Sequence, residues 1–303
     1  MMKAKIKEYP LVDIIILNWN GFKDTAECIN SIKNISYNNY KIIVVDNASD
    51  CDAEKIEKEF GNSVFLIRNE CNLGFSGGNN IGIKYALKDN PEYILLINND
   101  TVVEKDFLDE LICSANSALQ AGIVGSVIGY FNDRERIWSA NGIISKIRSS
   151  GFTRKFNKNI NSITLDESCT FLSGCCFLIK KNVIEEIGLL DENYFLYLED
   201  VDFCWRVCKA GYKIVLSAKS RIYHKVNVST KKNNQLLPLY YTTRNRLYFS
   251  EKNLGYWHYI FYFFLIISLS IKTLLSNKKI ERAGLIRKAF SDFRSKKMGQ
   301  IVN

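Results

Sequence analysis

Three polar groups stand directly after apolar runs in the first hundred residues. Asn18-Trp19-Asn20-Gly21 follows Leu11–Leu17, Asp46-Asn47-Ala48-Ser49 follows Lys41–Val45, and Asn98-Asn99-Asp100 follows Tyr93–Ile97. In an open parallel sheet, ligands bind beyond the carboxyl ends of the strands. The three groups would therefore line one crevice. Any one of them also reads as a cap for the next helix. All three together, with an acid after two of the three strands, read better as a site. A fourth feature is the glycine-rich stretch from Asn72 through Gly74 and Gly78 to Asn79 and Asn80. It reads as a turn opening a helix, where glycine permits close backbone approach and the first amides favour phosphate. No Gly-Lys-Ser/Thr follows, so it is neither a Walker A loop nor the dinucleotide pattern. A plain tight turn is an equal reading.

Further along, Glu199-Asp200-Val201-Asp202 forms the densest acid cluster, just after the aromatic run Tyr194-Phe195-Leu196-Tyr197. Acids at a helix start suit the helix dipole. Aromatic neighbours would in addition desolvate a carboxylate and raise its pKa toward that of a working base. His224 is one of only two histidines. A lone histidine is more often structural, but Lys225 and Ser229 follow it, which suits an anion or metal site.

The elements that must position these groups follow from periodicity. Leu11–Leu17, Lys41–Val45, Val64–Ile67 and Tyr93–Ile97 are short, β-branched and bounded by Asn, Asp or Gly, as buried strands are. Helices are expected at Lys23–Lys33, Ala53–Phe60, Asn79–Lys88, Lys105–Ala118 and Val201–Ala210, the last ended by Gly211. Further strands are expected at Ile123–Gly129, Cys176–Ile179 and Lys213–Leu216. Strand alternating with helix implies an α/β fold with parallel pairing and right-handed crossovers. Tyr130 to Leu172 is less regular and suits a small sub-sheet or loops.

Composition sets the outer bounds. Hydrophobic residues make up 47% of the 303, enough for a real core. The net charge of +9 is uneven: residues 219–303 hold 17 Lys/Arg and three acids. A basic tail on a mildly acidic body points to a polyanionic partner for the tail. The nine cysteines are odd in number and include no C-x-x-C pair, which speaks against a disulfide framework or zinc site. Most are expected to be small buried hydrophobes in a reducing compartment. The apolar run after the charged N-terminus is too short for a signal peptide or a membrane span. Asn253 to Ile271 contains no Asp, Glu, Lys or Arg, and nine basic residues follow between Lys272 and Lys297. An apolar helix with an aromatic end and a basic flank reads as association with anionic lipid on the cytoplasmic side. A buried core helix is the other reading. Two units are thus expected, a body over residues 1–230 and a helical, apolar-then-basic segment over 231–303.

These motifs, in this order, resemble the family 2 glycosyltransferases. The resemblance rests on Ile-Ile-Leu-Asn-Trp-Asn-Gly, Val-Val-Asp-Asn-Ala-Ser, Asn-Leu-Gly-Phe-Ser-Gly-Gly-Asn-Asn and Asn-Asn-Asp-Thr. It continues through Phe171-Leu172-Ser173-Gly174, Gly188-Leu189-Leu190-Asp191-Glu192, Glu199 to Asp202, Arg206 and Gly211-Tyr212. It covers about Val12 to Leu247 and is most similar to bacterial polysaccharide enzymes, rhamnosyltransferases among them. The resemblance implies a GT-A fold, a Rossmann-like sheet, and sugar transfer with inversion from a UDP- or dTDP-sugar to a lipid-linked saccharide at the cytoplasmic face of the membrane. Nucleic acid is not an expected partner. It implies donor contacts at Asn18, Asn20, Asp46, Asn47, Asn72, Gly74, Gly78, Asn79, Asn99, Ser173 and Gly174, with Asp46 on the base or ribose. Asp100 would close the Asp-x-Asp motif for Mg²⁺ or Mn²⁺, with Asn98 and His224 as further metal or diphosphate contacts. Asp200 would be the base, with Glu199 beside it; Asp202, Arg206 and Arg244 also match recurring positions. One departure is that Asn98 stands where the motif has its first Asp. Metal binding that depends on the donor diphosphate is then expected. Two rival readings exist. A sugar nucleotidyltransferase would need a Gly- and Lys-rich loop near the first strand, where only Gly21 stands. A catalytically silent sugar-nucleotide-binding membrane protein sits poorly with the intact Glu199-Asp200 pair.

Overall fold

The structure is a computed structural model that describes residues 9–226 and 236–301. Its first half alternates strand and helix: β1 (Val12–Asn18), α1 (Phe22–Lys33), β2 (Tyr40–Asp46), α2 (Asp52–Phe60), β3 (Phe65–Arg68), α3 (Gly74–Ala86) and β4 (Tyr93–Asn98). All four strands run parallel, with β1 between β2 and β4 and β3 outside β2. Helices cover both faces, which is why the strands are apolar at most positions and do not alternate. Ile15, Ile43 and Leu96 pack toward α3, while Ile14, Ile16 and Val44 pack toward α1 and α2.

The second half extends this sheet. It runs through β5 (Thr101–Val103), α4 (Phe107–Ser117), β6 (Ala121–Tyr130), β7 (Asp133–Ser139), β8 (Gly142–Ser145), β9 (Ser150–Thr153), β10 (Glu167–Cys169), β11 (Cys176–Lys180), α5 (Lys181–Ile187), α6 (Glu199–Lys209) and β12 (Lys213–His224). β11 lies antiparallel between β4 and β6, and β12 runs parallel to β6. The sub-sheet expected in the irregular region is the hairpin β8–β9, while β7 joins the main sheet beside β6.

Two elements differ from expectation for clear reasons. α3 begins at Gly74, so the glycines form its first turns and not a loop before it. A side chain at Gly78 would meet Leu17 Cδ1 at 2.4 Å, so glycine there lets the helix lie against the sheet. β12 runs eight residues beyond Leu216. The serines that hide this extension are buried and mutually satisfied: Ser217 bonds Ser114 at 2.8 Å and Ser220 bonds Ser126 at 2.7 Å. A bulge between Ser217 and Arg221 shifts the register of β12 against β6, and the strand's end reaches β5, where His224 pairs with Thr101.

Three helices complete the chain, α7 (Leu237–Asn253), α8 (Trp257–Leu274) and α9 (Lys279–Arg294). The expected division between residues 230 and 231, with Ser229, Lys231 and Lys232, lies outside the described residues. α7 is anchored on the body. Lys252 Nζ and Asn253 Nδ2 donate to Asp202 at 2.9 and 3.0 Å, and Tyr248 donates to Asp191 at 2.9 Å. α8 seats Phe261, Leu265 and Leu269 against Leu247 of α7 and Phe293 of α9, and leaves Phe263, Phe264, Ile266 and Ile267 exposed. It is long and apolar enough to cross a membrane. All nine cysteines are free thiols. Only Cys28, Cys175, Cys176 and Cys204 are fully buried, whereas Cys51, Cys71 and Cys113 are exposed, so the expectation of mostly buried cysteines fails.

Candidate active site

A cleft of about 400 Å³ opens at the carboxyl ends of β1, β2 and β4. The three polar groups do converge there, but not all of their side chains reach the opening. Asn20, Asn47, Asn98, Asn99 and Asp100 line it, together with Asn72 and Gly74 from the start of α3. Asn18 and Asp46 are buried directly beneath. Asn18 Nδ2 donates to Asp46 Oδ1 at 2.8 Å, and its Oδ1 accepts from Thr25 at 2.6 Å. Asp46 Oδ2 accepts the Ser49 amide at 3.1 Å. In this geometry the pair braces the crevice from below, since strand-end side chains point alternately up and down. Asn47 is similarly engaged: it donates to Asn72 Oδ1 at 2.9 Å and accepts from Asn69 and from the Leu73 amide. It thereby ties the end of β2 to the start of α3. Gly78 and Asn79, expected as donor contacts, sit inside α3; Asn79 Nδ2 donates to Phe75 O at 2.9 Å.

The wall opposite the strands is aromatic. Phe75, Phe195 and Tyr241 line it, with Phe195 stacked on Tyr241 at 5.6 Å, and Trp19 stands 49% exposed at the rim. Gly74 is needed here: φ is +72°, and a Cβ would lie 2.3 Å from Phe195 O. Trp19, Phe75 and Phe195 fall inside the sequence motifs, near the residues expected at the site. Tyr241 and Gln300 come from the far end of the chain, and no local signal places them at the cleft.

On the floor, Asp100 and His224 meet. His224 Nε2 lies 2.9 Å from Asp100 Oδ1, and both side chains are nearly buried. Yet Asp100 Oδ1 and His224 Nδ1 have no hydrogen-bond partner, so the approach is not that of a satisfied pair. A buried carboxylate oxygen without a donor, beside an imidazole nitrogen, fits a divalent cation. Among the described residues no third His, Cys, Asp or Glu joins them, so further ligands must come from Asn98, water or a bound anion. Trp138 packs on the His224 ring at 4.4 Å and fixes its plane. Lys225 is not available to an anion, because its ammonium contacts Asp24 and Glu27, each at 2.6 Å.

Asp200 opens α6 next to the cleft. Its Oδ2 accepts from Gly174 N at 3.2 Å and its Oδ1 from Val201 N at 2.8 Å. A Cβ on Gly174 would come within 3.2 Å of Asp200 Cβ and 3.6 Å of Phe75, so glycine allows β11, α6 and the aromatic wall to close together. Ser173 does not touch Asp200; its hydroxyl accepts the Cys175 amide at 3.3 Å. Burial pushes the Asp200 carboxyl up to about 6, although its side chain keeps an edge toward solvent. Glu199 is driven well above the carboxylate range, first by burial and then by the charge of Asp200. Its Oε2 has no hydrogen-bond partner. Asp202 does not add to this repulsion. It is fully buried, paired with Arg206 Nε and Lys252, and turned away from Asp200. Arg206 is structural too, donating to Ile187 O and Leu189 O at 2.8 Å and so closing the end of α5.

The backbone entering α6 is strained. Tyr197 and Leu198 both have positive φ, +70° and +72°. Such residues each cost of order 1–3 kcal/mol and persist only where the surroundings over-determine them. Asn245 does so here: its Nδ2 donates to Leu196 O at 2.9 Å and Tyr197 O at 2.8 Å. Neighbouring Arg244 is also fully buried, with its guanidinium against Tyr240 and Tyr241 and its Nη1 donating to Gly299 O at 2.9 Å. It therefore ties the chain end to the aromatic wall, with Gln300 at the cleft.

The mostly parallel sheet flanked by helices has the GT-A fold, with an Asp–His floor and an acid at a helix start at its cleft. The chain matches the glycosyl transferase family 2 over residues 13–188 and belongs to that family. It is 27% identical over 289 residues to the low-salt glycan biosynthesis hexosyltransferase Agl10 of Haloferax volcanii, covering 92% of this chain and 90% of that protein. It is 27% identical to the dTDP-rhamnosyl transferase RfbF of Shigella flexneri, covering 73% of this chain and 74% of that protein. The fold is similar to that of a mannosyltransferase from Pyrobaculum calidifontis in complex with GDP-Man and Mn²⁺, with TM-score 0.58, 13% identity, and 95% and 83% of the two chains covered. GalNAc-T7 with UDP, GalNAc and Mn²⁺ gives TM-score 0.61 at 15% identity, over 72% of this chain and 44% of that one.

Proposed function

We propose that this glycosyltransferase moves a sugar from a UDP- or dTDP-sugar to the hydroxyl of a lipid-linked saccharide, with inversion, in cell-surface polysaccharide synthesis. The observation that carries this reading is Asp200, a carboxylate oriented by two amides beside the cleft and raised to about 6. In a single displacement the acceptor oxygen bonds the anomeric carbon as the carbon–diphosphate bond breaks. The leaving diphosphate keeps the electron pair, and the acceptor proton must go to a base. Asp200 is ionised at neutral pH, and its pKa lies close enough to the working pH for it to take that proton. Its two amide contacts hold the carboxylate still.

The donor reading rests on the cleft. Asn20, Asn72, Asn98 and Asn99 offer amide donors and acceptors at the strand ends, and Trp19 offers a ring face to a base or sugar. Asp46 acts on the donor through the shape it gives this floor. Asp100 and His224, with the Asn98 amide, would hold Mg²⁺ or Mn²⁺, which when bound offsets charge on the diphosphate. Solved relatives carrying UDP or GDP-Man with Mn²⁺, and the dTDP-rhamnosyl and glycan enzymes among the relatives, support this donor and pathway class. We further propose that residues 1–230 carry the chemistry and that residues 231–303 hold the enzyme at the cytoplasmic face of the membrane. Exposed Phe263, Phe264, Ile266 and Ile267 support that role. The test is transfer from UDP-, dTDP- and GDP-sugars to an extracted lipid-linked acceptor, with and without Mn²⁺. Product with a retained anomeric configuration, or no turnover with any donor, would refute the reading.

A further inference from the structure

A second recess, of about 450 Å³, lies away from the cleft between the β8–β9 turn and α8. Ile147 and Arg148 of that turn, Arg246 of α7 and Lys272 of α8 line it, and no acidic residue does. Arg246 is held in place, with Nε donating to Arg148 O at 2.9 Å and its guanidinium over Phe261 at 5.1 Å. Arg148 and Lys272 are exposed. None of the three cations forms an ion pair among the described residues. Burial and the neighbouring Arg148 push Arg246 down to about 10, the mark of cations crowded without a counter-charge. Guanidinium forks match phosphate oxygens, and an anion here would offset that crowding.

The rest of the recess is apolar. Phe264, Ile267 and Ile271 continue from it onto the exposed side of α8, where each is at least 40% exposed. A small free anion would satisfy the cations and leave this surface in water. A ligand with a phosphate head and hydrocarbon chains meets both halves. The opposite side of α8 is already seated on Leu247 and Phe293, so the helix lies along the body and does not project from it.

We propose that this recess binds the phosphate headgroup of an anionic membrane lipid, with α8 lying in the plane of the bilayer and the lipid chains against Phe264, Ile267 and Ile271. The inference rests on the membrane reading above and sharpens it from a diffuse basic tail to a built site that includes the β8–β9 turn.

The test is sedimentation of the full chain with phosphatidylcholine vesicles, with and without phosphatidylglycerol. A basic residue near an anionic surface contributes about 1 kcal/mol, roughly fivefold in affinity. Arg148→Gln/Lys272→Gln should therefore weaken binding to the anionic vesicles by roughly thirtyfold. The control, Lys278→Gln/Lys279→Gln, removes the same charge from an exposed turn outside the recess and should lose clearly less than the recess variant, because these lysines do not line the recess. Equal losses in the two double variants would mean diffuse attraction and would overturn the site while leaving membrane association intact. Failure of the wild-type chain to bind anionic vesicles would overturn both. Release of the protein from vesicles by millimolar inorganic phosphate would assign the recess to a free anion and overturn the lipid. If the double variant melts early by circular dichroism, Lys272→Gln alone carries the test, with a roughly fivefold loss expected.

Discussion

The strained entry to α6 makes a prediction about a residue that does not itself line the cleft. Asn245 is fully buried, and its two amide hydrogens satisfy the Leu196 and Tyr197 carbonyls. Asn245→Ala removes both donors and leaves two largely enclosed acceptors unpaired. At about 1–3 kcal/mol for each unsatisfied group, the folded state should lose roughly 2–6 kcal/mol. The loss of the Arg244 Nε contact with Asn245 Oδ1 adds to this. Functionally, the αL pair Tyr197–Leu198 is then free to relax, and Asp200 follows at the third position. Turnover should fall by about ten- to a hundredfold, equivalent to 1.4–2.7 kcal/mol, while donor affinity stays near that of the wild type. Relaxation also opens Asp200 to water, and burial is what raises its pKa. The acid limb of the rate profile should therefore move from about 6 toward the usual carboxylate range. The assays are urea melts, turnover against pH, and calorimetric donor binding. A folded variant with wild-type turnover and an unmoved acid limb would show that Asn245 does not position Asp200.

Asp200→Asn keeps the shape but cannot take the proton, and turnover should fall about 10²- to 10⁴-fold with donor affinity preserved; near-normal turnover would remove Asp200 as the base. Mn²⁺ should bind weakly to the free chain and more tightly with UDP or dTDP, because Asp100 and His224 are two ligands at most; strong electron-paramagnetic-resonance titration without nucleotide would contradict this. Asp202→Asn should act on stability and not on the acid limb, because Asp202 pairs with Arg206 and Lys252; a pH profile shifted as in an Asp200 variant would count against that separation. Asp13 is fully buried, both of its oxygens lack partners, and burial raises it to about 6. A raised carboxyl contributes stability below its unfolded pKa and loses it as pH climbs through the folded one. The wild-type chain should therefore lose stability between about pH 4 and 6, and Asp13→Asn should flatten that slope in urea melts and be the more stable protein at pH 8.

The sequence by itself determined the open α/β sheet, since four β-branched runs separated by helical stretches admit little else. It also determined which strand ends carry polar chemistry, and it put an acid cluster at the start of α6. These are local properties, written in side-chain type and period. Tertiary structure decided the rest. It turned Asn18 and Asp46 downward and left Asn98 and Asp100 at the cleft, because neighbouring side chains at a strand end point in opposite directions and only the assembled sheet shows which way is in. It drew the glycine-rich segment into α3, since Gly78 answers to Leu17 across the helix–sheet contact and not to its own neighbours in sequence. His224 reached Asp100 only because a bulge and buried serine pairs prolonged β12, an arrangement that no apolar periodicity announces. Tyr241, Asn245 and Gln300 joined the site from about forty residues or more beyond the acid cluster. Their contribution is long-range packing, which depends on how α7 docks and leaves no mark on the residues around them.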